Sequence, residues 1–323
     1  MCNDYCTNYQ SDKFNCGACG HSCQGGDCTA GVCQPFTLAT TSKAVNLALS
    51  SSAVLWTTGG SVASVPSGGG AVSYLSSNSS GCLLGLATDG TNAYSIDIIG
   101  NCTTTPWLLS GSLFSVPLSG GTKKTIDASA GGYGFPNQPY RCLAVDASNV
   151  YFTSFDIGYV LQVAKADGKE TVLAGGVGTL GAGDPRAITV QGSFVYFADD
   201  DDGVRQVPIG GGSLVTLAPT QNMVIRYLAT DSANLYYVLG GAVTKAAIAG
   251  STPVTLVTSG ATGPLAIDAS RIYYLGASTV MSIAKTGGTA VTLASGQTNP
   301  VDIAVDATSV YWLTATQVMK IAK

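Results

Sequence analysis

From residue 35 onward the chain repeats one phrase, and this limits the folds open to it more than any other feature. The phrase reads roughly Pro-x-x-Ile-Ala-Val-Asp-Ala-x-x-Val-Tyr-Trp, a variable loop, x-Val-x-x-Ile-Ala, Gly-Gly and Val-Thr-Leu-Ala. Its centre recurs at Leu55, Tyr94, Tyr151, Tyr196, Tyr236, Tyr273 and Tyr311, at intervals of 39, 57, 45, 40, 37 and 38 residues. A unit of about 40 residues with four short strands is the signature of a β-propeller blade. In the sixth copy the strands read directly as PLAID, RIYYL, TVMSIA and AVTLAS, designated a to d. Asp268-Ala269-Ser270 supplies the a–b turn and Gly287-Gly288 the c–d turn. The same turn aspartate recurs as Asp89, Asp146, Asp231 and Asp306, which points to a structural role.

The seventh copy stops at Ile321-Ala322-Lys323, just after strand c. Its missing strand d is found at the other end, where PFTLAT (Pro35–Thr40) matches AVTLAS (290–295) and PVTLVT (253–258). Pairing the first strand with the last blade would tie the ring shut and leave no open edge there. The expected fold is therefore all-β. It is a seven-bladed β-propeller over residues 35–323, closed by an N-terminal strand and preceded by a small disulfide-rich module at 1–34.

Composition agrees with that class. Only 11% of residues are charged, and Glu170 is the one glutamate among nineteen acids, which argues against solvated helices. The formal charge of −4, with no basic run, disfavours a nucleic-acid partner. No stretch is long and apolar enough for a membrane-spanning helix. Polar residues follow Met1-Cys2 where a signal peptide would be apolar, so the start is read as that of a chain already relieved of its leader.

Seven of the ten cysteines fall within the first 33 residues, in a Gly-rich segment with almost nothing to bury. Crosslinks must hold such a segment together, and that implies an oxidising environment. Cys6, Cys16, Cys19, Cys23, Cys28 and Cys33 form an even set with fifteen possible pairings. The competing reading is zinc, with Cys16, Cys19, His21 and Cys23 as ligands, although zinc ribbons space their ligand pairs more widely. Cys2 is left over, either as a lipid-anchored N-terminal residue or as a partner for Cys82, Cys102 or Cys142. Within blade two, a Cys82–Cys102 bridge is expected.

The strand-b sequences Tyr196-Phe197-Ala198-Asp199, Tyr311-Trp312-Leu313-Thr314 and Tyr151-Phe152-Thr153-Ser154 resemble those of YWTD-type and NHL-type propellers. The whole chain resembles secreted proteins of myxobacteria and their relatives that join an NCGxCGxxC-type module to Val-Tyr-Trp propeller repeats. The resemblance implies a bacterial protein at an extracellular or cell-surface location, and no particular activity, because propellers host many functions.

Most catalytic chemistries lack their residues. A Ser-His-Asp or Cys-His arrangement needs a histidine base, and the only one, His21, lies outside the ring. Glu170 reads as part of a c–d turn, so carboxylate-pair chemistry would rest on aspartates alone. Binding is better supported. The b–c and d–a loops share one end of a propeller, here called the top, and they are long only around blades two to four. They carry Trp107, Tyr133, Phe135, Tyr140, Phe155, Asp156 and Tyr159. Arg141, Arg186 and Arg226 hold equivalent places near the top of strand a on three successive blades. They could bind an anion, or satisfy Asp97, Asp156 or Asp199. The run Asp199, Asp200, Asp201 and Asp202 could hold calcium. The leading expectation is that the top binds a glycan or a surface protein. The alternatives are a lyase or hydrolase acting on a polysaccharide, and a matrix protein that self-associates.

Overall fold

The structure, a computed structural model, describes residues 8–76, 82–98, 111–128, 142–154, 158–175, 185–199, 202–219, 224–250 and 252–323. Among these there is no helix, and hence none long and apolar enough to cross a membrane. They form seven four-stranded antiparallel sheets, each in the order a–b–c–d. Every strand a touches the strand a of the next blade, and that of blade seven touches that of blade one. The chain is a closed seven-bladed propeller.

Closure occurs as the repeat requires. Blade seven consists of Asp302–Val305, Ser309–Leu313, Gln317–Ala322 and, as its outermost strand, Phe36–Thr40. Phe36 lies opposite Lys320, Thr37 opposite Met319, Ala39 opposite Val318 and Thr40 opposite Gln317. Leu38 and Ala39 are buried between blades seven and one. At the inner strand, Leu47 N–H donates to the buried Asp302 carboxylate of blade seven (2.7 Å). A chain beginning at residue 42 is expected to lose cooperative thermal unfolding, whereas one lacking only residues 1–33 should keep it. Circular dichroism melts check both, and parent-like melting of the shorter chain would refute this closure.

The core lies between blades. Alternate residues of strand b point to opposite neighbours, as the period of two demands. Val54 and Trp56 pack toward blade seven and Leu55 toward blade two; Val150 and Phe152 pack toward blade two and Tyr151 toward blade four. The turn aspartates join this arrangement from the bottom. In five blades the carboxylate Oδ1 accepts the backbone N–H groups two and three residues on, closing the a–b turn. Its Oδ2 accepts the strand-b phenol: Tyr94 on Asp89 (2.6 Å), Tyr151 on Asp146 (2.6 Å), Tyr236 on Asp231 (3.0 Å), Tyr273 on Asp268 (2.8 Å) and Tyr311 on Asp306 (2.8 Å).

Three of these pairs receive a lysine from the following blade. Lys165 reaches Asp89 (2.8 Å), Lys285 reaches Asp231 (2.7 Å) and Lys323 reaches Asp268 (2.7 Å). Each ammonium also sits over the tyrosine ring, at 4.5, 5.0 and 5.3 Å from its centroid. Burial alone would raise these carboxyls, but the lysine, the backbone N–H groups and the phenol outweigh it and hold them well below the usual range. The phenols are pushed up, by burial first and by the adjacent carboxylate second, so they stay neutral donors. A carboxyl depressed in the fold stabilises it fully above the unfolded value of about 3.9 and ceases to as pH falls toward the folded value. Lys285→Met is expected to cost about 1–2 kcal/mol in urea unfolding at neutral pH. The difference from the parent should shrink below about pH 4; a constant difference would refute the latch.

The N-terminal module is held by two disulfides among the described residues, Cys16–Cys28 and Cys23–Cys33, with Cα–Cα separations of 5.6 and 5.1 Å. Cys19 is disulfide-bonded as well. The zinc alternative fails: the clustered Cys16, Cys23 and Cys28 sulfurs are committed to S–S bonds. His21 faces two carbonyl oxygens, Cys16 O at Nδ1 and Lys323 O at Nε2, both at 2.7 Å. It thus links the module to the end of strand c in blade seven, where the four cysteines also pack against Ala322. Cys6, Cys102 and the Cys82 side chain lie outside the described residues; the Cys82 backbone pairs with Ile98. Cys142 is a free, buried thiol, pushed up to about 12 by desolvation and therefore inert. Glu170 corrects the turn reading. Lys169 completes the turn, and Glu170 opens strand d (Glu170–Ala174) opposite Val163.

Candidate functional site

The two ends of the ring differ. The bottom carries the aspartate turns, whereas strand a carries a bulge near its top end in several blades. In blade four, strand a (Pro185–Gln191) pairs with strand b (Phe194–Asp199), and the register jumps between Pro185 and Ile188. In blade five, strand a (Ile225–Thr230) pairs with strand b (Asn234–Leu239), and it jumps between Ile225 and Leu228. Each jump is a β-bulge that sets two residues against one, and the bulged residues are Arg186-Ala187 and Arg226-Tyr227. Blades one and two bulge at the same place, after Ala44 and Leu84, but with Val45-Asn46 and Gly85-Leu86 there. The equivalence of the two arginines is therefore real. What the repeat could not reveal is that both sit in a bulge of strand a.

Arg186 is half-buried and its backbone carbonyl accepts the Thr153 hydroxyl of blade three (2.9 Å). Arg226 is exposed and lines a cleft of about 440 Å³ with Val224, Tyr227, Val238, the Gly240-Gly241 turn, Ala261 and Thr262. Tyr159 opens strand c of blade three (Tyr159–Ala164) and packs against the cluster between blades two and three. Trp107, Tyr133, Phe135, Tyr140, Arg141, Phe155 and Asp156 lie outside the described residues.

The acidic run behaves differently from expectation at its two described members. Asp199 is fully buried at the end of strand b, and its Oδ2 accepts Arg205 Nη1 at 3.1 Å. Asp202 Oδ2 accepts the same nitrogen at 2.8 Å. A calcium ion would have to displace a guanidinium from both carboxylates, while Asp200 and Asp201 lie outside the described residues. Arg205, which sequence reasoning passed over, stands opposite Phe197 on strand c. Its signal was a basic residue inside an apolar strand, GVRQVP, three residues from an aspartate. Asp97 is likewise taken, by Lys123, whose ammonium lies 4.1 Å from the Phe114 ring centroid.

No family model matches the chain, and no curated protein matches it in sequence. Solved structures do match in fold. A streptogramin B lyase aligns with a TM-score of 0.69 at 14% identity, over 89% of this chain and 96% of that one. The extracellular domain of a putative hybrid two-component system from B. thetaiotaomicron aligns at 0.63 with 10% identity, over 86% of this chain and 38% of that one. The computationally designed Ika8 protein aligns at 0.60 with 13% identity, over 89% and 98%. At these identities the likeness shows the propeller and nothing finer.

Because Asp199 is fully buried, Asp199→Ala is expected to cost about 3–5 kcal/mol in chemical denaturation by stranding the buried Arg205 charge. Asp202, half exposed, should cost no more than about 1 kcal/mol when replaced by alanine. Equal effects would refute this division.

Proposed function

We propose that this is an extracellular or cell-surface binding protein whose propeller top engages a glycan, or a surface protein that presents one. The observation that carries the reading is the difference between the ends. Turn carboxylates at the bottom are consumed by backbone, phenol and lysine bonds, while blades four and five place arginines, Arg186 and Arg226, in the strand-a bulge that blades one and two fill with Val45-Asn46 and Gly85-Leu86. The disulfides support an oxidising location. Long top loops bearing Trp107, Tyr133, Phe135 and Tyr140 add rings suited to stacking on sugars. The calcium reading at Asp199–Asp202, the lipid anchor at Cys2 and the independence of residues 1–34 and 35–323 remain parts of the same proposal.

A glycan array followed by titration of the best binder tests it. Trp107→Ala or Tyr133→Ala should weaken binding by roughly 1–3 kcal/mol, the range of interface anchors. A ligand whose affinity ignores both changes and the arginines would place the site elsewhere.

A further inference from the structure

A pocket of about 390 Å³ opens on the outer flank of the ring, near the bottom, where blade two meets blade three. Its walls come from strands b (Asn92–Ile98), c (Gly111–Pro117) and d (Lys124–Asp127) of blade two and from Lys165 of blade three. Four other blades fill or narrow the equivalent space with a side chain of their own. The strand-c position opposite the central strand-b tyrosine holds Gln162 in blade three, Lys245 in blade five and Lys320 in blade seven. Gln162 bonds Asn149 and the Gly210 N–H (3.2 Å each), Lys245 donates to Lys285 O (3.3 Å) and Lys320 to Ser67 O (2.8 Å). In blade five this leaves only about 180 Å³. In blade six the position is Ser282, and Arg271 at the start of strand b lays its guanidinium on the Ser282 hydroxyl (2.9 Å).

Blade two has short residues at both places: Ser115 opposite Tyr94, and Asn92 where blade six has Arg271. The Asn92 side chain bonds the Tyr94 phenol. Ser115 is 9% exposed, yet its hydroxyl has no hydrogen bond to a described residue and borders the open pocket. A buried hydroxyl is costly to leave unmet. The charge is one-sided as well. Lys165 is spent on the Asp89 carboxylate and the Asp146 carbonyl. Lys124, exposed and opposite Ser115, forms no ion pair or hydrogen bond with a described residue. No carboxylate stands among the described lining residues. Thr122 adds a second hydroxyl, while Pro117 and Ile126 give a half-buried apolar side. That side is held firmly: Gly168 of the blade-three turn comes so near that a Cβ there would lie 2.2 Å from the Ile126 carbonyl oxygen.

We propose that this pocket binds a single-ring acidic sugar, with its anionic group on Lys124 and its ring hydroxyls on Ser115 and Thr122. A serine or threonine hydroxyl both donates and accepts, as a sugar hydroxyl does, so the two satisfy each other. A lysine supplies a point charge that serves a carboxylate or a sulfate alike. The apolar side takes the C–H face of the ring. The volume lies toward the lower end of small-molecule sites, about 300–1,000 Å³, which suits one ring better than a chain. The pocket sits on the flank, apart from the top, and the assignment stands whether or not the top binds a glycan.

Ligand-detected NMR titration of the full chain with galacturonate, galactose 6-sulfate and galactose tests it. One or both acidic sugars should bind at least about tenfold more tightly than galactose, and which one does so tells carboxylate from sulfate. Lys124→Gln should weaken the acidic sugars roughly tenfold, toward galactose, with an unchanged melting temperature because Lys124 is exposed. Asn92→Arg copies Arg271 and should close the pocket, so that binding is lost while the chain melts no lower than the parent. Equal affinity for galactose, no binding of any of the three, or acidic-sugar affinity unchanged in Lys124→Gln each overturns the pocket. Binding that persists in Asn92→Arg but is lost in Trp107→Ala belongs to the top and overturns it too. Should Asn92→Arg not fold, Lys124→Gln alone decides.

Discussion

The ring depends on how each blade is fastened to the next at its bottom edge, and one position decides it. This is the residue just after strand c, which faces the a–b turn of the preceding blade. Where that turn carries an aspartate with its tyrosine, a lysine fills the position in three blades: Lys165, Lys285 and Lys323. Where the turn lacks its aspartate, the position turns apolar. Leu118 packs with Leu55 of blade one, whose turn has Ser50, and Ile248 packs toward blade four, whose turn has Gln191. A lysine there would be half-buried without a counter-charge.

The two exceptions show the same rule met by other means. Ile209 packs at the interface that holds Tyr151, the phenol partner of Asp146, and here Lys165, from Asp146's own blade, donates to the Asp146 carbonyl. Ser67 faces blade seven, and Lys320 of that blade donates to Ser67 O (2.8 Å) while lying 5.5 Å from the Tyr311 centroid. Lys320 is itself pulled down by burial, partly countered by Asp306. At Asp146 and Asp306 the carboxylate is held by the N–H groups of its own turn and by the strand-b phenol.

The bottom turns show what a repeat reveals and what it does not. The aspartates were legible as structural because they recur at a tight turn, but their lysines were not, since the partners lie 76, 54 and 55 residues away. Arg186 and Arg226 were legible as equivalent, yet the bulges that hold them leave no trace in hydrophobic pattern. The acidic run did not announce that Asp199 and Asp202 share one guanidinium, that of Arg205. Asp199 ends strand b, where it points inward to Arg205 across the sheet, and Asp202 joins it from the hairpin. Glu170 was misplaced by one position, because a Gly-containing turn does not announce where pairing resumes.

The sequence by itself determined the number of blades, the strand that closes them, the face of each strand that is buried and the crosslinked nature of the N-terminal module. All of these follow from local periodicity and composition, because a blade cannot bury its faces alone and must repeat. Only the tertiary structure decided which cysteines pair, which lysine meets which carboxylate, and that His21 joins the module to Lys323, 302 residues away. It also decided that the arginine of blade five opens onto an apolar cleft. Periodicity says which side a residue faces. What stands opposite depends on the rotation from blade to blade and on strand register, and those exist only once the ring has closed.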